Sequence, residues 1–190
     1  MKSFLKYLPI IFLFLVGLSL SLKNAPALAS GQSELSIYLP IIIDRVFINP
    51  GFEEGSIGWE LQSNQGDNMV TTTESHAGLH SAALGNGASH RIASLSQVVT
   101  VPFDSYAVSY YQKITSTENC PSKNVVNVYI NTHIYQHYNI CSDSSSTDWV
   151  KKVIYLAPYT GQRVIFRLQF ASSDSSGNHI YVDDFAFESP

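Results

Sequence analysis

The stretch VNVYINTHIYQHY, residues 126–138, decides the class of fold. Its apolar residues Val126, Val128 and Ile130 alternate with Asn and Tyr, which is the period of a strand that buries one face. The Asn131-Thr132 pair follows, and Asn tolerates the positive φ that a two-residue hairpin turn needs. The stretch therefore predicts an antiparallel hairpin.

The same alternation recurs on both sides of this hairpin, between turns rich in Gly and Ser. Further strands are predicted at residues 95–101, 106–114, 164–170 and 179–187, and no window of a dozen residues has the apolar spacing of an amphipathic helix. Many short strands without helices predict an all-β fold, an antiparallel jelly-roll β-sandwich, as one domain over residues 46–190.

Composition excludes two classes of protein. The 190 residues include 11 Lys and Arg against 15 Asp and Glu, a net charge of −4, which gives no basic surplus for nucleic acid. The hydrophobic content of 45% is too high for a disordered chain.

Residues 1–29 have the pattern of a secretory signal peptide. Lys2 and Lys6 precede an apolar run over residues 7–22, and Ala27-Leu28-Ala29 is a small-x-small cleavage site. An uncleaved membrane anchor is the alternative, but the run is shorter than the roughly 18 apolar residues of a spanning helix. Cleavage before Ser30 predicts a secreted or cell-surface protein with no membrane insertion. The mature chain would contain eight Lys and Arg residues and 15 Asp and Glu residues.

Residues 30–45 form an apolar lead-in. Its core, IYLPIII at residues 37–43, is too short to span a membrane, and Pro40 excludes a central place in a sheet. The segment predicts an edge strand or a surface for self-association or a protein partner.

The two cysteines, Cys120 and Cys141, are expected to form a disulfide, because a secreted chain folds in an oxidising compartment. The bridge would close a loop of about 22 residues and stabilise the fold by about 3 kcal/mol on the chain-entropy model.

Three stretches resemble the carbohydrate-binding modules of the galactose-binding-like jelly-roll superfamily. They are Asn49-Pro-Gly-Phe-Glu-Glu-Gly55 with Gly58-Trp59, the segment HAGLHSA at residues 76–82, and a tail that ends in Ile180-Tyr-Val-Asp-Asp-Phe185. The resemblance spans about residues 46–188 in the right order. It implies the fold and buried, structural roles for Trp59 and Trp149, and it does not specify a ligand.

The resemblance also implies a structural Ca²⁺ ion between the first and last strands. By position, Glu53 and Asp183 would supply side-chain oxygens, and backbone carbonyls near Asn49 and in the 76–81 loop would complete the shell, as Ca²⁺ accepts. The alternative is that Glu53 and Asp183 only hydrogen-bond to neighbouring backbone.

Signatures of enzymes are missing, including the nucleophile elbow, the zincin helix and the phosphate-binding loop. His133 and His137 have the spacing of a helical zinc pair, but on a strand they lie about 13 Å apart, too far to share a metal. The pairs Glu53-Glu54 and Asp183-Asp184 point to opposite faces of a strand, so neither converges as glycosidase carboxylates do. The sequence therefore predicts a protein that is not an enzyme.

Alternation also predicts which side chains face away from the core. If Val108, Val128, Phe166 and Phe170 are buried, an open face carries aromatic, amide and guanidinium groups, which suit a sugar. The expected ligand-binding residues are Tyr111, Asn127, Tyr129, Arg167 and Gln169. The alternative is that these are ordinary exposed strand residues, since Tyr favours strands.

These observations predict a secreted, non-catalytic carbohydrate-binding module that recognises a polysaccharide or glycan. The alternative is an adhesive or structural cell-surface domain that binds protein partners, for which the IYLPIII segment argues.

Overall fold

The computed structural model describes residues 46–173 and 177–190. The predicted signal peptide (1–29), the lead-in (30–45) and its IYLPIII segment lie outside the described residues. Within those ranges, no α-helix occurs, and no helix is long and apolar enough to cross a membrane.

The predicted hairpin is confirmed. Asn131 has a φ of 57°, Ile130 pairs with His133 across the two-residue turn, and the Asn131 side chain accepts a hydrogen bond from the Ile165 amide at 3.0 Å. Ten strands are present: β1 (Glu60–Ser63), β2 (Val70–Thr71), β3 (Ser81–Asn86), β4 (Ile92–Thr100), β5 (Ala107–Thr115), β6 (Val125–Ile130), β7 (His133–Asn139), β8 (Val150–Tyr155), β9 (Arg163–Ala171) and β10 (His179–Glu188). Two 3₁₀ turns, Ser142–Ser144 and Ala157–Tyr159, flank β8.

The strands form two antiparallel sheets of five. We call them sheet A, in the order β1-β4-β9-β6-β7, and sheet B, in the order β2-β3-β10-β5-β8. Strands distant in sequence are neighbours, as in the pairing of β4 with β9 and of β3 with β10. This architecture confirms the all-β jelly-roll sandwich.

The core lies between the sheets and takes the apolar residues of each alternating strand. Phe166, Leu168 and Phe170 of β9 are fully buried, as is Val128 of β6, while the residues between them are not. Because a strand's side chains alternate, burying one set forces the other set outward. This is what creates the outer face of sheet A.

An aromatic cluster closes one region of the core around Trp59. Its ring lies 4.8 Å from Phe185, 5.2 Å from Phe52 and 5.7 Å from Phe47, measured between ring centres. The indole N–H donates to the Asn49 carbonyl at 2.9 Å. The expected structural role of Trp59 is therefore confirmed.

A buried cation lies at the end of the sandwich where β4 begins. The Arg91 side chain is fully buried; its Nε donates to the Leu84 carbonyl at 2.6 Å and its Nη1 to Asp67 at 2.9 Å. The guanidinium lowers the pKa of Asp67 to about 2, chiefly through this hydrogen bond. The pair ties the loop after β1 to β3 and β4.

The predicted disulfide is confirmed. Cys120 and Cys141 are bonded, with their Cα atoms 5.3 Å apart. The bridge fastens the connection between β5 and β6 to the segment that follows β7.

Candidate functional site

The outer face of sheet A presents its side chains in rows that cross the strands. One row takes one residue from each strand of the sheet, and neighbours in the row are register partners. Its members are Glu60, Ser96, Arg167, Tyr129 and Ile134. The parallel row consists of Gln62, Ser94, Gln169, Asn127 and His137. Strands are about 4.8 Å apart, so each row crosses roughly 19 Å of surface.

Small side chains lower this face along β4, between β1 and β9. Ser94 and Ser96 of β4 lie between larger residues on β1 and β9, and each is 8% exposed. Gln62, Ser94 and Gln169 line a depression of about 310 Å³ at one end of β4. Glu60, Ser96 and Val98 line another, of about 260 Å³, at the other end. Together they form a shallow groove along β4 whose walls are polar at Glu60 and Gln62 and apolar at Val98 and Ile165.

One aromatic ring lies on the β6 side of this face, beyond β9. The Arg167 guanidinium carbon lies 4.3 Å from the centre of the Tyr129 ring, and the Tyr129 hydroxyl donates to Gln169 Oε1 at 3.2 Å. Contacts of this kind hold the three side chains in fixed orientations. The group offers a ring face, an amide and a guanidinium, which are the chemical groups that bind sugar rings and hydroxyls.

The structure brings four of the five predicted ligand residues together. Asn127, Tyr129, Arg167 and Gln169 lie on adjacent strands β6 and β9 of sheet A. Tyr111 does not join them: it lies on β5 of sheet B, on the opposite side of the sandwich. The prediction of a single face was wrong for Tyr111, because alternation shows which face of its own sheet a residue takes, and not which sheet holds the strand.

Tyr111 takes part in a different cluster. The His76 ring stacks on it with 3.5 Å between ring centres, and Trp149 meets His76 edge to face at 5.8 Å. His76 also bonds through Nδ1 to Asp184 Oδ2 at 2.5 Å. Trp149 is half-buried against this histidine and lies outside the central core, unlike Trp59.

Sequence reasoning missed the residues that complete the groove. Glu60 and Gln62 belong to a four-residue strand, which alternates in the structure but is too short to show a period in the sequence. Ser94 and Ser96 do alternate with Ala93 and Leu95, and this was the available signal for the groove floor.

The two predicted calcium ligands lie at either end of one loop, residues 76–80. The fully buried Asp183 accepts hydrogen bonds from the His76 amide at 2.8 Å and the Asp184 amide at 2.8 Å. The more exposed Glu53 accepts from the Leu79 and His80 amides, each at 2.9 Å. Both carboxylates therefore make the hydrogen bonds to neighbouring backbone that are the alternative to a calcium site.

The pKa values of these two carboxylates shift in opposite directions. Burial raises the pKa of Asp183 to about 6. The backbone N–H groups of His80 and Leu79 lower the pKa of Glu53. A desolvated carboxylate such as Asp183 gains from a nearby cation.

The donor set fits calcium only with backbone participation. In the described part of the chain, no group of three or more His, Cys, Asp or Glu side chains is placed to hold a metal ion. Glu53 and Asp184 do line one cavity of about 430 Å³ together with Asn49, Pro50 and Gly51. Side chains and carbonyls of this kind are the oxygen donors that Ca²⁺ accepts.

Comparison with known proteins gives a structural likeness only. No family model and no curated protein matches the sequence. The fold is similar to TmCBM61, a carbohydrate-binding module solved with β-1,4-galactotriose, at TM-score 0.56 and 17% identity over 77% of this chain and 99% of that one.

Adhesin domains share the same architecture. The K2 cleaved adhesin domain of Lys-gingipain aligns at TM-score 0.52 and 16% identity, over 74% of this chain and 97% of that domain. The K1 domain, from Porphyromonas gingivalis W83, aligns at TM-score 0.51 and 13% identity, over 74% and 96%. At such identities the likeness shows the fold alone, a jelly-roll β-sandwich shared with a carbohydrate-binding module and two adhesin domains.

Proposed function

We propose that this protein is a secreted, non-catalytic carbohydrate-binding domain that holds a polysaccharide or glycan across the outer face of sheet A. The observation that carries the proposal is the Tyr129, Arg167 and Gln169 group beside the serine-floored groove. A ring face binds the apolar C–H side of a sugar, and fixed amide and guanidinium groups bind its hydroxyls. Carbohydrate binding by a structural neighbour of the same fold supports it.

A non-catalytic role is proposed because the groove has one carboxylate. Among the described residues of the two rows, Glu60 is the only acidic side chain. Glycoside hydrolysis by the common mechanisms needs two carboxyl groups about 5–10 Å apart.

A structural Ca²⁺ ion is proposed at the 76–80 loop. Glu53 and Asp183 or Asp184 would hold it with backbone carbonyls of the Asn49–Gly51 turn. The ion would offset the desolvation of Asp183 and fix the loop, at a distance from the glycan face.

The test is a binding screen of the purified protein against a broad glycan panel, with calcium present. Tyr129→Ala removes the ring and should weaken a hit by about tenfold or more, which corresponds to about 1.4 kcal/mol. Tyr129→Phe keeps the ring and loses only the bond to Gln169, so its effect should be smaller. Tyr155→Ala is the matched control, since Tyr155 is an exposed tyrosine of sheet B.

The variants separate the possible sites. A hit that weakens with Tyr111→Ala and not with Tyr129→Ala would place the glycan on sheet B and contradict the proposed face. A glycan that binds the wild type and all of these variants with equal affinity would support carbohydrate binding but reject both faces as its site.

Adhesion to a protein partner is the second candidate. Val98 and Ile165 are register partners on the same outer face, 50% and 44% exposed, and Ile48 lines the same depression. Exposed apolar groups in contact mark protein interfaces more than sugar sites. A blank across the glycan panel would favour this function.

A further inference from the structure

The charges of this protein are unevenly distributed between its surfaces. The chain has 15 acidic residues against 11 Lys and Arg. Four of the five strands of sheet A, β4, β6, β7 and β9, nevertheless contain two arginines, two histidines and no Asp or Glu. On these four strands the formal positive charge is therefore that of Arg163 and Arg167 on β9, with no acidic side chain to oppose it.

Arg167 is the cation at the centre of that face. It lies on β9, the middle strand of sheet A, with Ser96 on one side and Tyr129 on the other. Its Nε is buried and has no hydrogen-bond partner, and no ion pair joins it to a carboxylate in the part of the chain that the structure describes. An unsatisfied buried donor is costly, and because this Nε is enclosed, only the two Nη groups of Arg167 could meet a ligand.

The surroundings orient this guanidinium for an anion. Stacking on Tyr129 holds the planar group in one orientation and engages its face, and among the described residues no hydrogen bond occupies the two Nη groups, which remain as donors. A planar pair of N–H donors matches two anionic oxygens, and charge-assisted bonds of this kind are about twice as strong as neutral ones.

The one carboxylate of the face lies away from this position. Glu60 is two strands from Arg167, about 10 Å at the usual strand spacing. Its oxygens accept from Gln62 at 2.7 Å and from Ser96 at 3.3 Å. The negative charge of the two rows therefore lies at the β1 edge, and β9, β6 and β7 carry no acidic side chain.

We propose that the glycan held by sheet A is anionic, with a carboxylate or sulfate group bound by Arg167. This inference rests on the proposed function, since it assigns the ligand class of the same site. Both groups present two or more oxygens to a guanidinium, so their shared chemistry is what the site selects.

The experiment compares matched polymers on the wild-type protein. Polygalacturonate is measured against its fully methyl-esterified form, and dextran sulfate against dextran, so each pair differs mainly in charge. We expect saturable binding to at least one charged member, about tenfold or more tighter than to its neutral partner, and weaker at high salt. The carboxylate and sulfate arms show which anion is preferred.

Two arginines on one strand supply the control. Arg167→Gln should remove about tenfold or more of the affinity for the charged polymer, and Arg167→Lys should restore only part, since Lys lacks the planar fork. Arg163→Gln makes the same charge change on the same face of β9, four residues away, and should alter affinity less than about twofold.

The outcomes distinguish failure of the anionic-ligand inference from failure of the proposed carbohydrate binding. Binding of neutral glycans that depends on Tyr129, with no preference for a charged partner, would keep the proposed function and overturn the anionic ligand. Equal losses with Arg167→Gln and Arg163→Gln would show only nonspecific attraction and overturn it too. No binding to any glycan would reject the proposed function, and this inference with it.

Discussion

The ion pair between the buried Arg91 and Asp67 allows a prediction of how much free energy of unfolding the Asp67 charge contributes. Asp67→Asn keeps the shape of the side chain and an oxygen that can accept from Arg91 Nη1; it removes the charge and the exposed, 3.3 Å bond from Asn86 to the second oxygen. The pKa of Asp67 falls from 3.8 to about 2, and this difference corresponds to roughly 2 kcal/mol at 1.36 kcal/mol per unit. The Asp67 side chain is 32% exposed, and screening reduces the expected loss to about 1–2 kcal/mol.

The direction in which stability changes with pH follows from the lowered pKa of Asp67. A carboxyl whose pKa is lower in the folded state stabilises the fold above the pKa of the unfolded chain, near 4, and loses this contribution as pH falls towards 2. The difference between wild type and Asp67→Asn should therefore be complete at neutral pH and should shrink in acid.

Urea denaturation at neutral pH and near pH 3 measures both quantities. Glu74→Gln is the matched control, because Glu74 pairs with Lys113 at 2.9 Å at the surface, where an ion pair contributes about 1 kcal/mol or less. The reasoning is refuted if Asp67→Asn costs no more than Glu74→Gln, or if its cost is the same at both pH values.

Three further predictions concern other parts of the molecule. Ca²⁺ at a hundredfold excess over its Kd should raise the unfolding free energy by about 3 kcal/mol, and EDTA should reverse this; an unchanged Tm would contradict the calcium proposal. Replacing Cys120 and Cys141 together by Ser should lower stability by about 3 kcal/mol in the same denaturation assay, and a loss under about 1 kcal/mol would show that the bridge is redundant. Asn131→Ala should destabilise the fold by about 1 kcal/mol more than Asn131→Gly, since both lose the bond to Ile165 but only Ala resists the φ of 57°; equal Tm values would contradict this.

The all-β class and the central strands could be predicted from the sequence, because the alternation of buried and exposed residues is visible within each strand. Burial on one side of β6 and β9 requires alternation along each strand, and that alternation is visible in the residues themselves. The short strand β1 was not predicted, since four residues are too few to show a period. β8 was missed because its burial is irregular, with Val150 and Lys151 both exposed at the sandwich edge.

The candidate site could be predicted less completely, for a reason that Tyr111 illustrates. Its alternation on β5 is the same as that of Tyr129 on β6, yet the two rings lie on opposite sheets. Sheet membership depends on long-range pairing, as in the contacts of β5 with β10 and of β6 with β9. Nothing in a single strand's period encodes its partner. The ligand roles of the four residues on sheet A stay a prediction.

The rows of sheet A have a consequence for how specificity could change. A ligand lying along a row meets a new strand at each step, so neighbouring units of the ligand are in contact with residues far apart in sequence, such as Ser96, Arg167 and Tyr129. The backbone hydrogen bonds that set the row belong to the sheet and do not depend on these outward side chains. A change of one outward side chain therefore leaves the strand pairing intact, but Tyr129, Arg167 and Gln169 contact one another and would change together.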